Sequence, residues 1–320
     1  MRRRDFFGVL GGATVAWPVA ARAEDAGRIY RFGALHPLAR TAPQFTPLFD
    51  GLRRQGFLQG RNLEVRGFGS SAYPEQAAEI VEAGVDVLFC GGDPAVRAAQ
   101  QATQTVPIAG VADDMVGAGL VASLGHPGGN TTGFSILSAE LDGKRQELLI
   151  EIVPSARRIA ALFDPATTSS VRLKIVVDAA RSRGVEVSTH PVAKLEDIVP
   201  AIDAAQAAGA KALNVLAAAL LHSNRQVIIE RTMALRMPTI YQFPESAEQG
   251  GFASYGPRLE QTIYPPLAIM IARLFRGDRP QDIPVQQPTK FELVINLKTA
   301  QTLGLTIPES LLIRADKVIE

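Results

Sequence analysis

Five carboxylates stand just past apolar, strand-like runs. Asp93 follows "VDVLFC", Asp113 and Asp114 follow "VPIAGV", Asp164 follows "RIAALF", and Glu245 follows "TIYQF". Taken singly, each is well typed as a helix cap or turn residue. Several acids past the same end of their strands suggest more, because open α/β sheets bind ligands at that end. Carboxylates gathered there can receive an ammonium group or hydroxyls. A close pair could also do the acid–base work of a glycosidase, but nothing in the spacing brings two of these acids within reach. His36 follows the first apolar run and is a further candidate for ligand contact. The other histidines, His126, His190 and His222, are scattered; without an H-E-x-x-H motif or an i, i+4 pair they read as structural.

The stretch "FCGGDPAVRAA" (89–99) holds the chain's one cysteine. Cys90 ends a buried run with no base nearby in sequence, where a free thiol behaves as a small hydrophobe. Gly91-Gly92 gives the backbone room, Asp93 is typed as an N-cap, and Pro94 suits the first helical position. A helix start ordinarily welcomes an anion. If Asp93 faces a cleft, its own charge there disfavours a ligand carboxylate and accepts an amine or hydroxyl. Other motifs fail on context. "GAGLVA" (117–122) has the letters of a dinucleotide fingerprint but does not turn directly off the first strand of its unit. Neither G-x-x-x-x-G-K-[ST] nor G-x-S-x-G occurs. No cofactor or metal is implied.

These residues must be positioned by a chain of 320 residues, 47% hydrophobic and 20% charged, enough for one large or two modest domains. Lys plus Arg (33) nearly balance Asp plus Glu (32), so no nucleic-acid partner is indicated. Strand and helix patterns alternate from "RIYRFGAL" (28–35) onward and restart at "RIAALF" (158–163), which argues for α/β lobes with parallel sheets covered on both faces. The halves echo each other: in both, a strand, loop and helix lead to a strand entered through proline, Pro107 or Pro238. Leu124–Ser135, dense in Gly, Pro and Asn, reads as a connector. The helix pattern over 259–276 ends at Gly277, and a proline-rich stretch follows, so the chain is expected to cross between lobes more than once.

The first 23 residues combine a basic start, an apolar middle and an Ala21-Arg22-Ala23 cleavage pattern, as in a secretory signal. Arg3-Arg4-Asp5-Phe6-Phe7 also fits the core of a twin-arginine signal. Elsewhere no apolar run reaches the ~18 residues of a spanning helix. The mature chain is expected to be exported to the periplasm.

"GLRRQGFLQGRNLEV", "GAGLVASLGHPGGNTTGFS", "LDGKRQELL", "QGGFASYGP" and "PVQQPTKFELVINLKTAQTLGLTIPESLLIRADKVI" resemble recurring segments of the periplasmic substrate-binding proteins of ABC transporters, the group that includes tryptophan- and phenylalanine-type binders. The resemblance covers almost the whole chain. It implies two doubly wound parallel-sheet lobes of the type I periplasmic-binding fold, three crossovers and an interlobe ligand cleft. The expected division is residues 28–133 plus 257–284 for one lobe and 134–256 plus 285–320 for the other.

By position, the resemblance places His36, Gly92, Asp93, Pro94, Asp114, Ser135, Asp164, Thr167, Tyr241, Glu245 and Tyr255 in the ligand site. A family Asp-Pro after "ALNVL" is here Ala218-Ala219, so one polar anchor is lost. Phe243 and Phe134 could add apolar wall. The implied role is a monomeric, non-enzymatic receptor that delivers a small organic solute to a membrane permease; the solute is an amino acid, aromatic or not, or a related aromatic compound. Two alternatives stay open: an exported hydrolase or lyase with an interlobe active site, and a receptor that feeds a sensor. A two-lobed transcriptional regulator would need a DNA-binding helix-turn-helix where the signal pattern stands.

Overall fold

The computed structural model describes residues 27–320. The expected signal segment and its twin-arginine pattern lie outside the described residues. Among those residues no helix is long and apolar enough to cross a membrane.

The first half runs β1 (Tyr30–Leu35), α1 (Thr46–Arg54), β2 (Leu63–Gly67), α2 (Tyr73–Glu82), β3 (Val87–Gly91), α3 (Asp93–Ala102), β4 (Ile108–Ala112) and β5 (Thr131–Ser135). Its sheet has the order β2-β1-β3-β4-β5, parallel throughout. Every residue of β3 is buried, as expected of a central parallel strand covered by helices on both faces.

The second half runs α4 (Ser138–Ile152), β6 (Arg158–Phe163), α5 (Ser170–Arg181), β7 (Glu186–Pro191), α6 (Ile198–Ala207), β8 (Leu213–Val215), α7 (Ala219–Ser223), α8 (Arg225–Ala234), β9 (Thr239–Tyr241), α9 (Pro244–Glu248) and β10 (Ala253–Gly256). After α10 (Tyr264–Phe275) come β11 (Glu292–Asn296), α11 (Leu297–Leu303), α12 (Glu309–Arg314) and β12 (Lys317–Ile319). The second sheet has the order β12-β11-β10-β9-β8-β6-β7. Its β7-β6-β8-β9-β10 portion repeats the winding of the first sheet, so the echo between the halves is structural. One pairing departs from the expected parallel sheets: β11 runs antiparallel to β10 because the chain re-enters this lobe from the opposite end.

The chain crosses between lobes after β5, after β10 and before β11. Helix α10 packs on α1 of the first lobe, where a Cβ at Gly51 would fall 2.5 Å from the Ala268 Cβ. The 259–276 helix begins as a π turn over Leu259–Ile263, just before Pro265 and Pro266, which lack the N–H groups a regular ladder needs. The helical run from Ala219 to Ala234 is likewise interrupted at Asn224, between α7 and α8.

The segment read as a connector does part of its work as β5. Gly133 sits at φ +147°, and a Cβ there would lie 1.8 Å from the Gly110 carbonyl oxygen. The glycine that made this stretch look like a loop is what lets the strand lie against β4. Strand β5 keeps Phe134 and Ser135 in the first sheet. Gln286 joins them by exchanging backbone hydrogen bonds with Gly133 and Ser135, at 2.8 and 2.9 Å.

Candidate functional site

In each sheet the strand order reverses between two neighbours, β1 and β3 in the first and β6 and β8 in the second. A ligand crevice forms outside the carboxyl ends of such strands. Here the two crevices face each other. His36 follows β1, Gly92 and Asp93 follow β3, Asp164 follows β6, and Ala217–Ala219 follow β8.

The His36 ring is buried, stacked on Phe89 at 5.9 Å between centroids and edge-on to Phe45 at 4.8 Å. Its Nδ1 accepts the Leu38 N–H at 3.1 Å, which in the neutral ring puts the proton on Nε2. Burial lowers its pKa to about 3, so the ring is neutral at physiological pH. Gly91 leaves room for it, since a Cβ there would come within 2.2 Å of the imidazole. Gly92 adopts φ +99°, and a Cβ on it would lie 2.8 Å from the Ala219 Cβ of the other lobe. The small Ala219 side chain therefore lets the lobes approach closely at this point.

Asp93 is the first residue of α3, with Gly92 at the cap position, so it is not the N-cap its type suggested. Its Oδ1 instead accepts the Asp113 N–H at 3.0 Å and fastens α3 to the end of β4. Burial, then the neighbouring Asp113 charge, push its pKa up to about 7. Asp113 makes the interlobe contact: its Oδ2 pairs with Arg172 Nη1 at 2.8 Å, both side chains nearly excluded from solvent. Asp114, expected in the ligand wall, points to solvent and closes a turn by accepting the Gly117 N–H at 2.8 Å.

Arg172, on α5, carries no sequence motif, yet it is the centre of a buried network. Its Nε and Nη2 donate to Asp142 Oδ2 at 3.0 and 2.6 Å, and Nη2 also reaches the Ala217 carbonyl at 2.8 Å. Nη1 adds the Thr167 carbonyl at 3.4 Å. Asp142, on α4, holds Arg145 as well and accepts the Ala217 N–H at 3.1 Å. Arg145 in turn donates to the Tyr255 carbonyl at 2.9 Å. Asp142 is 0% and Arg145 1% exposed.

The remaining expected site residues divide by location. Asp164 is buried at the cleft edge, its Oδ1 accepting the Ala166 N–H at 2.8 Å, and burial raises its pKa. Thr167 offers its carbonyl to Arg172, while its hydroxyl is buried without a partner. Pro94 occupies the first turn of α3. Ser135 Oγ accepts the Met115 N–H at 3.2 Å, which fixes the loop after β4. Glu245 is buried on α9 with Oε1 near the Glu260 N–H and Oε2 unpartnered; burial raises its pKa to about 7.

Tyr241 and Tyr255 are not in the cavity. Tyr241 still belongs to β9 and packs into the second lobe's helix layer, with its hydroxyl near Thr232. Tyr255 packs its ring at the second core, beside Phe291. Phe134 lies in the first lobe's core, whereas Phe243, past the end of β9, reaches the cleft.

Between the lobes a cavity of about 50 Å³ remains. Phe89, Val111, Ile136 and Tyr264 form one apolar side, and Ala219 and Phe243 the other. His36, Asp113, Gln242 and His222 supply polar groups. His222, read from sequence as structural, lies edge-on to Phe243 at 4.6 Å, and both its ring nitrogens are buried without a partner. Burial, then the charges of Arg225 and His36, hold its pKa well below the usual value. Among the described residues no cluster of three or more acids, histidines or thiols is placed to hold a metal ion.

Asp93 gives a test of this electrostatic picture. A carboxyl whose pKa is raised by folding contributes most at low pH and loses that contribution as pH climbs through the folded value. Wild-type protein is therefore expected to lose roughly 2–4 kcal/mol relative to Asp93→Asn as pH rises from about 4 through about 7, with little further change above. Melting temperatures of the two proteins across that range check it; parallel curves would show that Asp93 titrates normally.

Known proteins share this two-lobed fold. A conserved domain protein from Vibrio cholerae superposes with a TM-score of 0.81 at 28% identity, covering 91% of this chain and 100% of that one. An ABC domain in complex with L-Trp from Streptococcus pneumoniae gives 0.79 at 25% identity with the same coverage. A tyrosine-binding protein of Clostridioides difficile is 29% identical over 242 residues, 72% of this chain and 66% of that protein, so the chain spans a little under two thirds of that relative's length. The family model described as ABC transporter substrate binding protein matches residues 43–319. With that match across most of its length, the chain belongs to the substrate-binding proteins of ABC transporters and has their type I periplasmic-binding fold.

Proposed function

We propose that this chain is an exported receptor that captures a small organic solute between its lobes, an amino acid or a related aromatic compound, and delivers it to an ABC permease. The carrying observation is the interlobe cavity, with aromatic side chains from both lobes and buried acids at the two strand-order reversals. The tyrosine- and tryptophan-binding relatives support the solute class. The signal pattern over residues 1–23 supports export.

A cavity of about 50 Å³ has room for a few waters. A solute therefore enters while the lobes are apart, and closure favours whichever state contacts it from both sides. The first test is a thermal-shift screen of amino acids, aromatic acids, amines and sugars on the mature protein. A true ligand at ~100 times its dissociation constant is expected to add about 2.7 kcal/mol of stability. A shift with sugars alone would overturn the proposed solute class.

A further inference from the structure

Two of the places in this cleft that could receive a ligand carboxylate, the Arg172 guanidinium and the start of α3, are already met by the protein's own carboxylates. Arg172 pairs with Asp113, which lines the cavity. Its five N–H donors are taken up by Asp113, Asp142 and the carbonyls of Thr167 and Ala217. The start of α3, one of the helix N-termini beside the cavity, carries Asp93 in its first position. Arg225 lies behind His222 and is engaged by Gln249, the His222 carbonyl and Gln44. Arg97 is exposed and donates to the Ala118 carbonyl, so its charge is screened.

The charge around the network is also uneven. Asp93, Asp113, Asp142 and Asp164 face two buried guanidiniums, Arg145 and Arg172. An arriving carboxylate would meet the charge of these acids, while the side-chain donors lining the cavity, such as His36 and Gln242, are neutral; an arriving ammonium would relieve the acids. A second observation concerns the opposite side of the cavity. The ring nitrogens of His222 are buried and unpartnered there, between Phe243 and the space a ligand would fill. A neutral imidazole in that position can donate to or accept from a hydroxyl or ring N–H.

We infer that the solute is an aromatic amine without a carboxylate, its ammonium group received by the acids at Asp93 and Asp113 and its ring substituent hydrogen-bonded to His222. This rests on the reading of the cleft as a solute site. It narrows that reading to one branch and separates this chain from relatives that bind amino acids.

The test is calorimetric titration of the mature protein with matched pairs: tyramine against L-tyrosine, phenethylamine against L-phenylalanine, and tryptamine against L-tryptophan. Like-charge juxtaposition at a buried site costs several kcal/mol, so each amine is expected to bind at least about 100-fold more tightly than its amino acid. Tyramine is expected to exceed phenethylamine, and His222→Phe to narrow that difference. Asp93→Thr, checked for folding by its melting curve, is expected to move the amine-to-acid ratio toward the amino acid; Asp93→Asn serves if the threonine variant is unstable. Amino acids binding as tightly as their amines would overturn the inference and leave the proposed receptor function standing. Binding by no member of any pair, with a response to another solute, would overturn both.

Discussion

Replacing Asp142 with alanine is expected to cost about 3–5 kcal/mol of stability, the cost of breaking a buried ion pair by removing one partner. The carboxylate is wholly buried and holds two arginines, Arg145 and Arg172, together with the Ala217 N–H. Its removal leaves two guanidiniums in a dry interior with only Asp113 and backbone carbonyls as company. In chemical denaturation the loss is expected as a lower midpoint without a large change in slope. Removing charge on both sides is expected to recover part of the loss, since well-packed apolar groups often replace a buried ion cluster at little cost. The triple change Asp142→Leu, Arg145→Met, Arg172→Met is thus expected to be more stable than Asp142→Ala alone. A loss below about 1 kcal/mol for Asp142→Ala would mean that the network adds little beyond its packing.

Asp113→Asn is expected to act on a different equilibrium. Arg172 keeps Asp142, Ala217 and Thr167 within its own lobe, so the fold of that lobe is preserved. What is lost is the 2.8 Å ion pair across the cleft. Truncating a buried charge pair at an interface costs about 2–5 kcal/mol. Here the lower end applies, because losing the Asp113 charge also relieves its neighbour Asp93. A change of about 2 kcal/mol shifts the closed-to-open ratio roughly 30-fold. The variant is expected to bind its solute correspondingly more weakly while its denaturation midpoint moves little. If affinity is unchanged, the ion pair does not bias closure. If the midpoint falls as far as in Asp142→Ala, Asp113 is part of the lobe's own framework.

The alternation of strands and helices was legible because central parallel strands must be apolar on both faces: "VDVLFC" and "RIAALF" could be little else. β5 was not legible. Its Thr-Thr-Gly run looks like a loop until Gly110 is seen pressing against Gly133. The antiparallel β11 depends on which end of the sheet the returning chain meets, a long-range fact with no local pattern.

The site divides in the same way. His36, Asp93 and Asp164 follow strands at the order reversals, so strand position alone pointed to them as candidates, whereas Gly92 came from the resemblance. The choice between Asp113 and Asp114 rests on how the chain leaves β4, and the acid that meets the other lobe is the one adjoining the strand. Tyr241 and Tyr255 were placed by resemblance, but both still lie within strands that pack into cores. Arg172 and His222 carry no motif, and Asp142 and Arg145 lie in "LDGKRQELL", a family-like segment that gives no sign of a place at the cleft. Their roles arise only when α4, α5 and α7 come together at the cleft.

The central claim is that two hinged lobes close on a solute held between them. Small-angle scattering of the mature protein, alone and saturated with the tightest ligand from the screen, tests it most directly. The expected result is a smaller radius of gyration with ligand, together with a larger one for ligand-free Asp113→Asn than for ligand-free wild type. Identical scattering from free and saturated wild-type protein would contradict the claim.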